Sequence, residues 1–269
     1  MPFFTTNDDC KLFFEEKGQG KAVIFIHGWS CNRHFFKKQL PAFQKKYHVL
    51  AYDLRGHGDS ERPEHGLTLT SFANDLKELI EYRDLKEVSL VGWSMGVHII
   101  FEYIKNFGVN NLHKLVLVDM SARLTNDPAT NWKYPVHGGY TEYDALKFCE
   151  MITTNWPKVV TAFVPGMFGK DTDSEEIPWA TDQILRNTPH VMISMWLSMM
   201  SKDYRDLLPE ITVPTLVTYG KRPSLYIPEN SEYLGKRLPN AKVLSYDGGH
   251  IHFMQDPEKF NREVMEFIG

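Results

Sequence analysis

The sequence predicts an α/β protein with a mostly parallel β-sheet that helices cover on both faces. Short apolar runs of strand length alternate with longer helical patterns along most of the chain. These runs are continuously apolar, which is typical of parallel strands that are buried on both faces. With 269 residues, the chain has the length of one large α/β domain or of two small ones.

The predicted elements follow in a regular order after a hairpin over residues 2–16. The strands are short and mainly apolar, and they cover 22–26, 47–52, 88–91, 115–118, 215–219 and 242–246. The helices show apolar residues at helical spacing, and they cover 33–44, 69–82, 97–103, 228–238 and 260–268. The helical pattern is clear over 69–82, where one face carries Phe72, Leu76, Leu79 and Ile80.

One segment, residues 122–209, interrupts this alternation. It has helical patterns and many large apolar residues but no convincing buried strand, which predicts a helical insertion lying over the sheet. The predicted organisation is therefore a core of 1–121 and 210–269 with an inserted segment of 122–209. Met and aromatic side chains can form an adaptable apolar wall, so we expect Trp132, Trp156 and Met195 to contact a substrate. The alternative is that they only pack the insertion's own core.

Composition argues against several classes of function. The net charge is −4 without a long basic run, which disfavours nucleic-acid binding. No apolar run has the length of a membrane span, and the first residues lack the pattern of a signal peptide. Cys10, Cys31 and Cys149 have no metal-like spacing and are an odd number. We expect a cytoplasmic protein without disulfides, metal or cofactor, and the sequence leaves monomer or dimer open.

The segment with the strongest functional signal is 92–96, Gly-Trp-Ser-Met-Gly, which fits the pattern Gly-x-Ser-x-Gly. It follows the predicted strand 88–91 and precedes the predicted helix 97–103, which is the strand–turn–helix setting of a nucleophile elbow. The glycines let neighbouring backbone approach closely, and the helix N-terminus favours developing negative charge. The pattern predicts Ser94 as a nucleophile.

A serine nucleophile needs a base and donors for the oxyanion. His250 follows the last predicted strand and a glycine-rich turn, which predicts it as the base, with His252 as the competitor in the pocket wall or at the surface. The predicted oxyanion donors are the backbone N–H groups of Met95 and Trp29. The Trp29 and Trp93 rings are expected to form a wall of the substrate site, and His27 is expected to be structural.

Taken together and in order, these motifs resemble the α/β-hydrolase superfamily. They are His27-Gly28-Trp29, the segment 53–60, the segment 92–96 and Gly249-His250. The resemblance covers nearly the whole chain and implies an α/β-hydrolase fold in which 122–209 is a cap between strands six and seven. The two tryptophan-containing motifs also resemble the pimeloyl-carrier-protein methyl esterases.

The resemblance leaves the third member of a catalytic triad open. In the superfamily the acid usually follows the seventh strand, but Pro223 stands at that place here. Some members carry the acid after the sixth strand, where this chain has Asp119. We expect Asp119 to orient His250, with Glu229 or no functional acid as the alternatives. Asp53 and Arg55 are expected to form a buried ion pair that holds loops.

The predicted activity is serine-dependent cleavage of a small, mostly apolar carboxylic ester or lactone through an acyl-enzyme. A cofactor-free dioxygenase or haloperoxidase on the same scaffold is the first alternative. The resemblance to the dioxygenases implies a histidine at the position where this chain has Cys31, and this difference weakens the dioxygenase interpretation. A ligand-binding receptor with a decayed triad is the second alternative, and the missing acid after strand seven supports it.

Overall fold

An eight-stranded sheet in the order β1-β2-β4-β3-β5-β6-β7-β8 forms the centre of the protein. The structure is a computed structural model that describes residues 3–169, 174–222 and 224–269. β1 and β2 form an antiparallel hairpin joined antiparallel to β4, while β3 to β8 run parallel. The strands are β1 Phe3–Thr5, β2 Lys11–Lys17, β3 Ala22–Ile26, β4 His48–Tyr52, β5 Val88–Trp93, β6 Leu112–Val118, β7 Thr215–Gly220 and β8 Ala241–Tyr246.

Helices connect the parallel strands, as the sequence predicts. The described helices are α1 Leu40–Phe43, α2 Leu69–Tyr82, α3 Met95–Phe107, α4 Glu142–Met167, α5 Glu176–Leu185, α6 Pro189–Met200, α7 Pro228–Arg237, α8 His252–Gln255 and α9 Pro257–Ile268. The predicted fold class, a mostly parallel sheet with helices, is confirmed. Among the described residues, no helix combines the length and the apolar character that crossing a membrane requires.

Two predicted elements differ from the structure. The single helix expected over 33–44 is wrong: a 3₁₀ turn covers Arg33–Phe36 and the short α1 follows it. Pro41 lies in the first turn of α1, where its missing N–H is tolerated, whereas inside a longer helix it would remove a hydrogen bond. β6 begins at Leu112 rather than 115. Its first three residues are only partly buried and include His113 and Lys114, so they lack the continuous apolar pattern on which the prediction depended.

The segment predicted as an insertion carries α4, α5 and α6. In its described parts, 122–169 and 174–209, the only β pairing consists of isolated bridges. α4 packs against both α5 and α6 and is kinked at Asn155, just before Pro157. The indole N–H of Trp29, in the loop after β3, donates to the Met192 carbonyl of α6 at 2.9 Å. The segment therefore lies against the loop that follows β3, and its treatment as a separate cap stays a prediction.

Candidate active site

Ser94 lies at the sharp turn between β5 and α3. Its backbone has φ 53° and ψ −122°, a conformation that a residue with a side chain rarely adopts. Its N–H donates to the Val118 carbonyl at the end of β6, at 2.9 Å, which holds the strained turn in place. The side chain therefore stands at the carboxyl end of the parallel strands, where ligands bind in α/β sheets.

Three glycines make room for this turn. A Cβ on Gly96 would collide with the Ile26 carbonyl oxygen, and one on Gly92 would lie 2.7 Å from the Gly96 backbone. A Cβ on Gly28 would lie 2.9 Å from the Ser94 Cβ. Since real Cβ contacts are longer, glycine at these places is what allows β3, β5 and α3 to come together.

His250 and Asp119 form a buried pair beside Ser94. The Nδ1 of His250 donates to Oδ2 of Asp119 at 2.6 Å, and both side chains are almost completely buried. Asp119 directly follows β6, and its N–H donates to Thr218 of β7 at 2.9 Å, which fixes the residue against the neighbouring strand. A carboxylate at this place can hold the imidazole in one tautomer and leave Nε2 free to accept a proton.

Burial and hydrogen bonding act on Asp119 in opposite directions. Burial raises the pKa of the carboxyl above its ordinary value, while the hydrogen bond from His250 lowers it. The hydrogen bond is thus the contact that favours the ionised carboxylate in this buried site.

Ser94 and His250 line one cavity. Within the described residues, no hydrogen bond of 3.5 Å or less joins the Ser94 hydroxyl to His250. Catalytic hydrogen bonds are often long in unliganded enzymes and shorten when substrate binds, so the arrangement is compatible with a serine–histidine pair.

Two aromatic residues hold the His250 loop. The Trp93 indole N–H donates to the His250 carbonyl at 3.0 Å, and its ring lies 5.4 Å from the imidazole. Tyr226 lies in the loop between β7 and α7, and its ring is 5.5 Å from the imidazole. The Tyr226 hydroxyl donates to the Met120 sulfur at 3.1 Å. Trp93 lines the cavity as expected, but its side chain is fully buried and it also braces the histidine loop.

The two expected oxyanion donors belong to residues close to Ser94 or next to a residue that contacts it. Met95 is the first residue of α3, and Trp29 follows Gly28 in the loop after β3. In the described part of the chain, neither of their N–H groups donates to a protein acceptor. These groups, together with the N-terminus of α3, can therefore receive negative charge that develops on a bound carbonyl oxygen.

The loop after β3 rests on two buried histidines. Nε2 of His27 accepts from the Leu54 N–H at 3.0 Å, and Nε2 of His57 accepts from the Ser30 N–H at 3.2 Å. Burial lowers the pKa of His27 to about 4 and that of His57 well below its ordinary value. Both rings are therefore neutral at pH 7 and act as acceptors, which agrees with the structural role expected for His27.

The ion pair expected between Asp53 and Arg55 is wrong in its partners. Asp53 pairs with Arg33, while Arg55 pairs with Asp8 at 2.7 Å and with Asp75 at 2.5 Å. The two residues follow β4 but point to different loops, because the chain turns between them. Each nevertheless forms a largely buried ion pair that fixes surrounding loops, as the structural interpretation supposed.

His252 is neither in the pocket wall nor at the surface. It is fully buried in α8, where its Nε2 lies 3.1 Å from the Thr218 hydroxyl and its ring stacks on Tyr246 at 4.8 Å. Burial lowers its pKa to about 3. The hydrogen bond and the stacking contact of its ring are thus with β7 and β8, and it is not part of the cavity lining at Ser94.

The alternative acids lie elsewhere. Pro223, at the place where the superfamily usually has its acid, is outside the described residues. Glu229 is in the first turn of α7, and among the described contacts it makes no hydrogen bond to His250.

The cavity at Ser94 is small and mainly apolar. Counted as the space open to the centre of a water molecule, it measures about 20 Å³, enough for roughly one water. Any larger ligand therefore needs the surrounding side chains to move. The walls come from both the sheet loops and the inserted segment: Gly28, Trp29, Cys31, Trp93, Ser94, Val136, Phe163, Met167, Trp196, Met199, Leu225, Tyr226 and His250.

Three expected substrate-contacting residues are outside this lining. Trp132 packs on Tyr134 and Tyr233 instead, and its indole N–H donates to the Arg123 carbonyl at 3.1 Å. Met195 is fully buried in the packing of α6, and Trp156 lies behind Trp29, with ring centroids 5.9 Å apart. The sequence did not single out four residues of the inserted segment that do line the cavity: Phe163, Met167, Trp196 and Met199. The orientation of their helices decides which apolar side chains face the cavity, and the sequence pattern does not show that orientation.

Aromatic rings surround Trp29 where the loop after β3 meets α4 and α6. Their centroids lie 5.2 to 5.9 Å from that of Trp29 for four residues of the inserted segment. A fifth, Tyr140, contacts Trp196 edge to face at 6.1 Å. We call this group the aromatic cluster: Trp29, Tyr140, Phe148, Trp156, Phe163 and Trp196.

Known proteins share this architecture over the whole chain. A solved esterase structure from Exiguobacterium antarcticum superposes with a TM-score of 0.91 at 27% identity, covering 99% of this chain and 98% of that one. A non-heme chloroperoxidase of Kitasatospora aureofaciens is 28% identical, covering 100% of this chain and 99% of its own. A pimeloyl-[acyl-carrier protein] methyl ester esterase of Neisseria meningitidis serogroup B is 26% identical, with 92% and 93% covered.

The family model described as alpha/beta hydrolase fold matches residues 21–257, which span β3 to the start of α9. That range includes the elbow serine, the loop after β3 and the buried His250–Asp119 pair. The chain therefore belongs to the α/β hydrolase fold family.

Proposed function

We propose that the protein is a serine hydrolase that cleaves a small, mostly apolar carboxylic ester or lactone. The observation that carries the proposal is the 2.6 Å hydrogen bond between His250 and Asp119, both buried beside the strained Ser94 turn. A histidine oriented by a carboxylate and a serine held out at a helix N-terminus are the parts that acyl transfer needs.

In the proposed reaction, the Ser94 oxygen attacks the ester carbonyl while its proton passes to Nε2 of His250. Asp119 holds the imidazole and stabilises the positive charge that forms on it. The N–H groups of Trp29 and Met95 receive the negative charge on the carbonyl oxygen. The imidazolium then gives its proton to the departing alkoxide, and water, activated in the same way, releases the acid from Ser94.

The walls of the cavity support the choice of substrate. They are formed mainly by Trp, Phe, Met, Leu and Val side chains, and the space in this structure is small. Short acyl groups without charge therefore fit better than long or ionised ones.

Replacing Ser94 tests the proposal. We expect the native chain to hydrolyse p-nitrophenyl acetate and butyrate and to react with a fluorophosphonate at one serine, and Ser94→Ala to lose both. Ser201→Ala is the matched control, because Ser201 is an exposed serine at the end of α6 and should leave both unchanged. Absence of turnover of every short ester and lactone by the native chain would contradict the proposal.

Halide oxidation is a second candidate, favoured by the full-length similarity to a non-heme chloroperoxidase. Peroxide-dependent bromination of phenol red measures it directly. We expect such bromination to be slower than ester hydrolysis and to disappear with Ser94→Ala, because both would use the same serine.

A further inference from the structure

The aromatic cluster contains polar groups that have no partner. Among the described residues, the Tyr140 hydroxyl and the indole nitrogens of Trp156 and Trp196 are buried without a hydrogen bond. Buried polar groups in folded proteins are nearly always paired, and an unpaired one destabilises the fold. Near Ser94, a bound ligand is one way in which these groups would gain a hydrogen-bond partner.

Trp196 is the member of the three that reaches the cavity. It lines the same space as Ser94 and His250, while its side chain is 91% buried by neighbours such as Phe148 and Trp29, at ring distances of 4.8 and 5.2 Å. An indole N–H can only donate, so the group that would satisfy it must be an acceptor.

Three other indoles have acceptors within the protein. Trp29 donates to Met192 and Trp93 to His250, at 2.9 and 3.0 Å. Trp132, further away, donates to Arg123 at 3.1 Å. The fold thus supplies backbone carbonyls to these three rings. Of the two unpaired indoles in the aromatic cluster, Trp156 is outside the cavity lining and Trp196 is part of it.

Tyr140 adds a second polar group beside Trp196, although it is not part of the cavity lining. Its ring meets that of Trp196 edge to face at 6.1 Å. The Trp196 side chain acts to lower the pKa of the Tyr140 phenol, although no hydrogen bond of 3.5 Å or less joins the two groups. Burial raises the pKa of the Tyr140 phenol, so the hydroxyl keeps its proton at neutral pH and can donate. Other nearby walls, such as Phe163 and Met199, are apolar.

We propose that the Trp196 indole N–H, with the Tyr140 hydroxyl beside it, binds an oxygen acceptor on the acyl group of the substrate. The preferred ester or lactone would then carry a second oxygen, as a keto, ether or ester group, beyond the carbonyl that Ser94 attacks. This inference rests on the proposed hydrolase activity and names its substrate class. Esters with pure hydrocarbon acyl groups would leave the donor unsatisfied and react more slowly.

The test compares esters that differ only by that oxygen. The probes are p-nitrophenyl pentanoate and hexanoate and their 4-oxo and 5-oxo counterparts, and the readout is the ratio of kcat/KM for each keto ester to its alkyl partner. In Trp196→Phe, which keeps an aromatic ring and removes the N–H, we expect the better ratio to fall about five- to tenfold. The value of kcat/KM for the alkyl ester should stay within about twofold, because its acyl group makes no such bond.

Two further variants keep the result unambiguous. Trp132→Phe removes an indole that is outside the cavity and should leave the ratio unchanged. Tyr140→Phe removes only the hydroxyl and should lower the ratio in the same direction, which covers the case that Trp196→Phe does not fold. A ratio unchanged in both Trp196→Phe and Tyr140→Phe, or equal losses for keto and alkyl esters, would overturn the inference while leaving the hydrolase intact. If the native chain hydrolyses no ester at all, the proposed function fails and the inference fails with it.

Discussion

At the scale of single residues, the candidate site depends on how each side chain is held. Asp119 has a positive φ of 47° directly after β6, and this turn brings its carboxylate to His250 across 131 positions of sequence. His250 is held from the other side by the Trp93 indole on its carbonyl. The imidazole is thus fixed at its ring and at its backbone, which is what a base with one defined tautomer requires.

The first prediction separates the candidate acids. We expect Asp119→Asn to lower kcat for a short p-nitrophenyl ester by about 10⁴-fold, because the amide would no longer select the productive tautomer or stabilise the imidazolium. Glu229→Gln is the matched control and should retain activity, since Glu229 begins α7 and does not bond to His250 in the described contacts. The opposite pattern in steady-state kinetics would transfer the role to Glu229.

At the scale of elements, the site depends on how closely α3 approaches β3. Gly96 lies in the first turn of α3, and the space for its missing side chain is filled by the carbonyls of Ile26 and His27. This close packing places the N-terminus of α3 below Ser94. The loop after β3 is tied in turn to α6 by the Trp29–Met192 hydrogen bond. The proposed oxyanion donors and the wall of the cavity are therefore positioned by the same contacts.

The second prediction uses two glycines with opposite surroundings. Gly96→Ala should destabilise the fold by about 1–3 kcal/mol, because the new methyl would meet the Ile26 carbonyl and push α3 away. Gly166→Ala lies within α4 with nothing within 4 Å, and should leave stability unchanged or raise it by about 0.5–1 kcal/mol. Urea unfolding measures both, and equal effects of the two substitutions would count against this packing.

At the scale of the whole molecule, buried neutral histidines make the fold sensitive to acid. Burial lowers the pKa of His27 and His98 to about 4 and that of His252 to about 3. In the unfolded chain these groups titrate near pH 6.5, so the unfolded state binds more protons below that pH. Their contribution to stability is complete above pH 6.5 and is lost as the pH falls toward 4. Asp75, whose pKa burial raises to about 6, acts in the opposite direction and offsets part of the loss.

The third prediction isolates one of these groups. In His98→Gln, the amide N–H can replace the Nε2 donor to the Ser121 carbonyl but cannot titrate. The free energy of unfolding should therefore fall less steeply between pH 6.5 and 4, by about 1.4 kcal/mol per pH unit. His190→Gln, at an exposed position on α6, is the control and should keep the native slope. Identical slopes for all three proteins in urea titrations would exclude the linkage at His98.

The general architecture was predictable because strands and helices leave local patterns of apolar residues in the sequence. Alternating strand and helix signals predict the parallel sheet, and the glycine spacing around Ser94 predicts the turn that the structure shows. The location of His250 after β8 follows from the same order of elements. The local pattern misled over 33–44, where a 3₁₀ turn ends at Phe36 and a separate short helix begins at Leu40 with Pro41 in its first turn.

The sequence by itself determined the fold class and the order in which Ser94, Asp119 and His250 follow their strands. Only the tertiary structure decided that Asp119 rather than Glu229 lies against the imidazole. It also decided that Trp196 rather than Trp132 lines the cavity. The physical reason is that element type depends on neighbours within a few residues, whereas contacts at the site depend on how distant loops and helices are rotated and packed.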